Sequence, residues 1–199
     1  MINDIFEAKP ILENERVLLR AIRSDDFEHL LPFSLNEPDI WKYGLITCAG
    51  EENLRNYING AVQNMEDKKE YCFIVFDKKA GRYAGSTRFY DIQQKMLTTQ
   101  LGFTWYGQEF QRSGLNRHCK FLLLTYVFET WELERLEFRA HSKNEKSIQA
   151  MKDIGCVVEG ILRSQMPTVD GSRRDSIVLS ILKDEWFAGV KEKLLTKTY

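Results

Sequence analysis

The stretch from residue 97 to residue 141 constrains the fold most, because it has the pattern of a strand, a loop, a long helix and a second strand. Residues 97–106 are rich in aromatic and β-branched side chains, which favour a strand. Residues 107–114 form the loop, a helix is predicted from Asn116 to about Trp131, and residues 134–141 form the second strand. Helices alternate with strands only in this middle part of the chain, which does not favour a Rossmann fold.

The remaining pattern predicts hairpins rather than further strand–helix–strand units. Polar links at residues 93–95 and at Asp170-Gly171 predict tight turns between strands. We therefore predict an α/β (mixed α+β) fold, with a central, mixed, mostly antiparallel sheet of about seven strands and helices on both faces. Strands are predicted at residues 16–21, 71–76, 82–92, 97–106, 134–141, 156–165 and 172–182. Helices are predicted after Ser24, across residues 54–65, 116–131 and 144–154, and from Asp184.

Length and charge limit the domain organisation and the partners. The 199 residues fit one domain, which we place at residues 14–199 after an N-terminal extension at residues 1–13. A net charge of −1 argues against nucleic-acid binding. No apolar stretch is long enough for a membrane span or a secretory signal, so we expect a cytoplasmic protein.

The four scattered cysteines form no C-x-x-C pair, and the three histidines complete no metal-ligand spacing. We expect reduced, buried thiols and no metal. Cys119 and Cys156 remain minor candidates for a reactive thiol.

The loop before the long helix has the features of an anion-binding site. A glycine within a strand, Gly102, predicts a bulge or a close backbone approach. The turn of residues 111–116 then leads directly into a helix, whose first N–H groups and dipole attract phosphate. Gly114 lets the backbone approach closely, and Arg112, Arg117 and Lys120 add positive charge. The same arrangement is common in structures without any ligand, and this one is neither a P-loop nor a dinucleotide fingerprint.

These residues resemble the acetyl-CoA-binding motif of the GNAT N-acetyltransferases, [Gln/Arg]-x-x-Gly-x-[Gly/Ala]. Here the motif is Gln111-x-x-Gly114-x-Asn116, with asparagine in place of the final small residue. It resembles a subgroup in which that asparagine is followed four residues on by lysine, as Asn116 is by Lys120.

Later residues resemble the RimJ/RimL-like branch, the ribosomal-protein-alanine N-acetyltransferase type, and the resemblance spans about residues 14 to 190. The matching segments are Asn144-x-x-Ser147, Gly155, Glu159-Gly160-x-Leu162-Arg163, Asp170-Gly171-x-x-Arg174-Asp175 and Glu185-Trp186.

The resemblance implies that acetyl-CoA is the cofactor, with its pantetheine arm between two strands that splay apart and its pyrophosphate on the loop. The cofactor-binding residues that it implies are Leu101, Phe103, Thr104, Trp105, Gln111, Arg112, Ser113, Gly114, Leu115, Asn116, Arg117, Asn144 and Ser147.

The implied reaction is direct attack of a neutral amine on the thioester, with a backbone N–H near Phe103 stabilising the oxyanion. Many relatives place a tyrosine where this chain has Met151, whereas the RimL-like branch uses a serine, which is Ser147 here. Asn144 either caps its helix, contacts the cofactor, or does both.

The general base is open, because the branch's glutamate position is Met166 here. Four side chains are candidates for the base, namely Glu137, Asp91, Asp175 and His141. The expected catalytic residues are Ser147, Asn144 and, as the base, Glu137. Five aromatic residues are candidates for the acceptor pocket, namely Trp41, Tyr43, Phe89, Tyr90 and Trp105.

We therefore expect an acetyl-CoA-dependent N-acetyltransferase acting on a primary amine, and the branch favours a protein or peptide N-terminus. One alternative is a small-molecule N-acetyltransferase for a polyamine, an amino acid or an antibiotic. Another is a non-catalytic acyl-CoA-binding or regulatory module. A homodimer is compatible with the family, and neither nucleic acid nor a membrane is an expected partner.

Overall fold

A computed structural model describes residues 4–168 and 172–199 of the chain. One sheet contains all the described strands, in the order β1-β2-β3-β4-β5-β6-β8-β7. Every neighbouring pair is antiparallel except β5 and β6, which are parallel, so the predicted fold class is confirmed. The strands are β1 (Leu12–Glu13), β2 (Val17–Ala21), β3 (Tyr71–Asp77), β4 (Arg82–Gln93), β5 (Thr98–Tyr106), β6 (Arg135–His141), β7 (Val157–Pro167) and β8 (Arg173–Leu182).

Helices connect or cover these strands. They are α1 (Ile5–Ala8), α2 (Phe27–Asn36), α3 (Glu51–Glu66), α4 (Leu115–Thr125), α5 (Glu145–Asp153), α6 (Lys183–Glu185) and α7 (Lys191–Thr198). Short 3₁₀ turns lie at Ser24–Asp26, Pro38–Trp41, Gln94–Met96 and Gln108–Phe110, and wider π turns at Tyr126–Thr130 and Trp186–Val190. Within the described ranges, none of these helices combines the length and the apolar character that a membrane span requires.

The predicted elements differ from the observed ones mainly at their ends. The predicted helix of residues 116–131 is α4 followed by a π turn, and it begins one residue earlier, at Leu115. The predicted turn at Asp170-Gly171 lies outside the described residues.

The first residues of the chain contribute to the core. Part of the predicted N-terminal extension, residues 5–8, forms α1, in which Ile5 is completely buried. The ring of Phe6 packs against Tyr71 with 5.9 Å between centroids. Apolar side chains at consecutive positions anchor this turn because burial of each is favourable.

Helices cover both faces of the sheet. On one face, the hydroxyl of Tyr57 in α3 lies 2.7 Å from Ser86 Oγ of β4. The next residue of β4, Thr87, points to the other face, where its hydroxyl lies 2.7 Å from that of Thr104. Lys120 of α4 in turn donates to Thr104, so α4 lies opposite α3.

The sheet opens in its middle. β5 and β6 pair only at Thr98 with Arg135, Thr99 with Leu136 and Gln100 with Glu137. Beyond Gln100, β5 continues to Tyr106 with no partner on that side, and β6 continues to His141 paired with β8 alone. A gap that widens toward the ends of both strands results.

Candidate active site

A cleft of about 1720 Å³ occupies the gap between β5 and β6. The second half of β5 lines one side and residues 138–141 of β6 line the other. Helix α5 and residues 39–46, which follow α2, complete the walls. A cleft of this size is large enough to hold a substrate.

A β-bulge lies in the β5 wall of the cleft. Gly102 pairs with Arg88 and Trp105 pairs with Ser86, so two residues of β5 face a single residue of β4. Phe103 adopts a left-handed conformation, with φ of 49°. The bulge predicted from Gly102 is therefore confirmed. A Cβ atom at Gly102 would lie 2.9 Å from Cε1 of Tyr90, which shows why this position has no side chain.

Aromatic and cationic contacts hold the bulge in place. The ring of Phe103 packs edge-on against Tyr90, with 5.1 Å between centroids. The buried guanidinium of Arg88 lies between the rings of Phe103 and Tyr57, at 4.7 and 4.6 Å. Arg88 also binds Glu70 at 2.6 Å. These contacts stabilise a backbone conformation that a phenylalanine rarely adopts.

The loop before α4 leaves backbone N–H groups free. Gly114 has φ of 89° and precedes the first residue of α4. Ser113 Oγ accepts a hydrogen bond from Leu115 N–H and donates one to the carbonyl of Phe110. Among the described residues, the N–H groups of Gly114 and Asn116 have no protein acceptor. This arrangement fits a bound phosphate.

Two of the predicted cofactor residues brace the loop against β5. Gln111 donates from its side chain to the carbonyl of Tyr106 at 3.1 Å, and Asn116 accepts from the Tyr106 hydroxyl at 3.3 Å. The predicted residues that line the cleft are Leu101, Phe103, Thr104, Trp105, Gln111, Arg112, Asn116, Asn144 and Ser147. Those that do not line it are Ser113, Gly114, Leu115 and Arg117, and Leu115 is a core residue.

Asn144 and Ser147 begin α5 at the edge of the cleft. Asn144 is the N-cap of α5, since its side-chain oxygen accepts a hydrogen bond from Ser147 N–H at 3.2 Å. The hydroxyl of Ser147 makes no hydrogen bond within the described part of the chain. Met151, one turn further, is buried, and Met166 lines the cleft.

Glu137, expected as a catalytic residue, does not line the cleft. Its carboxylate binds two flanking arginines, Arg135 at 2.9 Å and Arg139 at 2.7 Å. The neighbouring residue Phe138 lines the cleft, and so does Arg139, which holds the Glu137 carboxylate. Asp175 is also outside the cleft lining, and its carboxylate accepts from Ser164 N–H.

The other two candidate bases, His141 and Asp91, line the cleft. Partial burial, with the nearby charges of Arg174 and Lys143, lowers the pKa of His141 and so favours its neutral ring. Its Nδ1 accepts from Lys143 N–H at 3.1 Å, which places the ring proton on Nε2. Asp91 accepts hydrogen bonds from Gln93 and Gln100, each at 2.8 Å.

Two buried cations in the cleft wall were not singled out as site residues by the sequence pattern. Lys120 is 5% exposed, and its Nζ donates to Thr104 Oγ1 at 3.1 Å. Burial lowers the pKa of Lys120 from 10.5 to about 8. Arg174 is also 5% exposed and donates to Ser176 Oγ. Lys120 was expected among the cations near the loop and Arg174 within a segment that resembles the family, but no local pattern predicts that either would be buried in the cleft wall.

Four of the five candidate pocket aromatics line the cleft, namely Trp41, Tyr43, Tyr90 and Trp105. The prediction for Phe89 was wrong. Phe89 is completely buried and packs on Phe73 and Trp131, because it points to the face of the sheet opposite Tyr90.

The four cysteines are buried and unpaired. Burial raises the pKa values of Cys119 and Cys156 to about 12, so neither supplies a thiolate at neutral pH.

The comparisons with known proteins identify the class of this fold and cleft. The family model described as the acetyltransferase (GNAT) domain matches residues 16–157, more than half of the chain. The chain belongs to the GNAT acetyltransferase family, and it is an acetyltransferase enzyme.

Individual relatives agree with this assignment. The protein named "Putative ribosomal N-acetyltransferase YdaF" of Bacillus subtilis (strain 168) is 32% identical over 106 residues, which are 53% of this chain and 57% of that protein. The "Uncharacterized N-acetyltransferase YoaA" of the same organism is 25% identical over 174 residues, which are 87% of this chain and 97% of that protein. A ribosomal-protein-S5-alanine acetyltransferase from Vibrio fischeri shares the fold, with a TM-score of 0.72 and 21% identity over 89% of this chain and 98% of its own.

Proposed function

We propose that this enzyme transfers the acetyl group of acetyl-CoA to a primary amine within the cleft between β5 and β6, and that the amine is the N-terminus of a protein or peptide. The gap between the two strands carries the proposal, because an unpaired β5 edge can hydrogen-bond an amide-containing chain as an added strand would. GNAT acetyltransferases use acetyl-CoA, and the free N–H groups of Gly114 and Asn116 fit its phosphates.

Within this proposal, the chain's residues have separate tasks. The β5 segment from Leu101 to Trp105 binds the pantetheine amides, and the loop of residues 111–116 with Arg112 binds the pyrophosphate. The backbone N–H of Phe103, presented by the bulge, stabilises the oxyanion. Bound acetyl-CoA supplies the activated acetyl group. Ser147, whose hydroxyl is free in the cleft, hydrogen-bonds the departing sulfur, and Asn144 positions Ser147 by capping α5.

Asp91 is the proposed proton acceptor for the amine. It is a carboxylate that lines the cleft next to Gln100, where β5 and β6 separate. His141 is less suited, since the Nδ1 atom that would accept a proton already accepts a backbone N–H. Four aromatic residues with Arg174 form the proposed acceptor pocket, namely Trp41, Tyr43, Tyr90 and Trp105.

The names of two relatives support a protein acceptor, since YdaF is named as a ribosomal enzyme and the V. fischeri protein as acting on a ribosomal-protein alanine. A small-molecule acceptor is the second candidate. The buried Arg174 favours it in one respect, because a guanidinium binds the carboxylate of an amino acid well.

The first test is binding of acetyl-CoA by calorimetry to wild type and to Gly114→Trp. We expect binding to fall at least tenfold (about 1.4 kcal/mol) in the variant, because the indole covers the free N–H groups. Gly50→Trp is the matched control. Gly50 has nearly the same φ, 85°, stands directly before α3, and has open space around it.

Acceptors are then screened as peptides with N-terminal alanine or serine, free amino acids and polyamines, with release of CoA as the signal. Turnover of a peptide but not of the same peptide with a blocked N-terminus supports the proposal. Binding of acetyl-CoA with turnover of small amines alone would favour the second candidate. A wild type that does not bind acetyl-CoA would refute the proposed cofactor site.

A further inference from the structure

Lys120 is a buried lysine without an acidic partner. Its Nζ makes one hydrogen bond, to Thr104 Oγ1, and among residues 4–168 and 172–199 no carboxylate lies within ion-pair distance. An ammonium group has three donors, so two remain for another molecule. Burying a charge without a partner costs free energy, and such groups concentrate at functional sites.

The amine of Lys120 lies between the two strands of the cleft, beyond their last pair. Thr104 follows the bulge of β5, and the ring of Phe138 on β6 has its centroid 5.7 Å from Lys120 Nζ. The last β5–β6 pair is Gln100 with Glu137, one residue before Phe138. Lys120 therefore contacts both strands of the gap, next to the backbone that we assign to the oxyanion.

The proposed reaction needs an acid at this point. A thiolate leaves when the carbon–sulfur bond breaks, and it takes up a proton to become a thiol. Met151 cannot donate a proton, and its side chain is buried. The hydroxyl of Ser147 can hydrogen-bond the sulfur, but a serine holds its proton much more tightly than a thiol does.

We propose that Lys120 is the catalytic acid of this enzyme. This inference rests on the proposed acetyl-CoA site. As the carbon–sulfur bond of the thioester breaks and the amine nitrogen bonds to the acetyl carbon, Lys120 Nζ gives one proton to the sulfur. The acceptor amine loses one proton to the base, and solvent water then takes that proton from the base and returns one to the neutral lysine. The products are the acetylated amine and CoA as its thiol.

The electrostatic surroundings suit this role. The titratable groups that face Lys120 are the thiols of Cys119 in its own helix and Cys156 before β7. Both have pKa values raised to about 12 by burial and are neutral, so they add no charge. The pKa of Lys120, about 8, is close to the ordinary thiol value of about 8.5. Proton transfer between groups of matched pKa is efficient.

The test is the titration of the thiol of bound CoA, followed by thiolate absorbance near 240 nm against the acetyl-CoA complex as blank. With wild type we expect the pKa of the bound thiol to be about one unit or more below that of the same thiol bound to Lys120→Met, because a nearby cation favours the thiolate. Lys120→Arg keeps the charge and should keep the lowered thiol pKa, but it should turn over as poorly as Lys120→Met, since a guanidinium does not give up its proton.

Controls separate this role from others. Ser147→Ala should keep the lowered thiol pKa. This result would show that the charge of Lys120, and not a hydrogen bond from the Ser147 hydroxyl, lowers the pKa of the thiol. Lys193→Met, on an exposed site of α7, should behave as wild type. Equal thiol titration in wild type and Lys120→Met, with CoA bound in both, would overturn the assignment of Lys120. Failure of wild type to bind CoA would instead overturn the acetyl-CoA site.

Discussion

At the scale of single residues, the cleft contains two residues that lower the stability of the folded protein. Phe103 holds a left-handed backbone, and Lys120 holds a charge away from water. Neither improves the stability of the fold, since both features raise the free energy of the native state. Such costs are expected where geometry serves a reaction rather than packing.

Replacing Lys120 by methionine is therefore expected to stabilise the protein at pH 7. The folded-state pKa of Lys120, about 8, lies below the value of 10.5 for an unburied lysine. Below pH 8 the buried Lys120 side chain is charged. Its charge lowers the free energy of unfolding by roughly 3 kcal/mol, apart from any effect of the substitution on packing. Urea unfolding at a series of pH values measures the effect.

The pH dependence has a definite sign. Between pH 8 and 10.5 the unfolded chain binds more protons than the folded one, so wild-type stability rises through this range. The difference in free energy of unfolding between Lys120→Met and wild type should therefore decrease as the pH rises from 8 to 10.5. A variant that is less stable than wild type at pH 7 would contradict the prediction.

At the scale of elements, the cleft depends on where strands stop pairing and where helices begin. The gap exists because β5 and β6 share three residue pairs, and α4 and α5 begin beside it. Glycine and asparagine caps define both helix starts. The most distant contribution comes from α1, which covers the core from a segment that the sequence pattern assigned to an extension.

Truncation of Ile5 tests the contribution of α1. Ile5→Ala is expected to lower the free energy of unfolding by about 2–4 kcal/mol, because Ile5 is completely buried in the core. Glu7→Ala, on the exposed side of the same helix, should change it by less than about 0.5 kcal/mol. Chemical denaturation measures both. A loss below 0.5 kcal/mol for Ile5→Ala would show that α1 frays from the core.

At the scale of the whole molecule, the sheet consists of two parts joined by the short β5–β6 pairing. The smaller part contains β6, β8 and β7, and an ionic network crosses it. Arg135 of β6 forms an ion pair with Glu159 of β7, which also accepts from Ser180 of β8 at 2.7 Å. Hydrogen bonding from Arg135 lowers the pKa of Glu159 from 4.5 to about 2.

This network predicts an acid-dependent stability. A carboxylate with a lowered folded-state pKa contributes stability above pH 4.5 that is lost as the pH falls toward 2. Glu159→Gln should be less stable than wild type at pH 7 by at most about 1 kcal/mol, since the side chain is 38% exposed and water screens it. The difference should vanish near pH 2 in thermal unfolding. A difference independent of pH would exclude the ionic origin.

Much of the architecture follows from local patterns in the sequence. Runs of apolar, aromatic and β-branched residues between turn signals placed the strands, helical spacing placed α3, and Gly102 indicated the bulge, because each of these signals acts within a few residues. The loop of residues 111–116 was recognisable for the same reason. The gap between the two strands entered only through the family resemblance, since the lengths of paired segments depend on contacts distant in the chain.

Tertiary structure alone decided which side chains share the cleft. Strand composition does not show which partners a side chain will meet, so Glu137 was expected to be catalytic, although it does not line the cleft and Arg135 and Arg139 bind its carboxylate. Phe89 was likewise expected in the pocket but belongs to the core. Local patterns were enough to predict the order of the elements after residue 15 and to propose the loop of residues 111–116 as a phosphate site. The burial of Lys120 without an acid arose only when α4 packed against β5 and β6, because a charge loses its water when distant segments close around it.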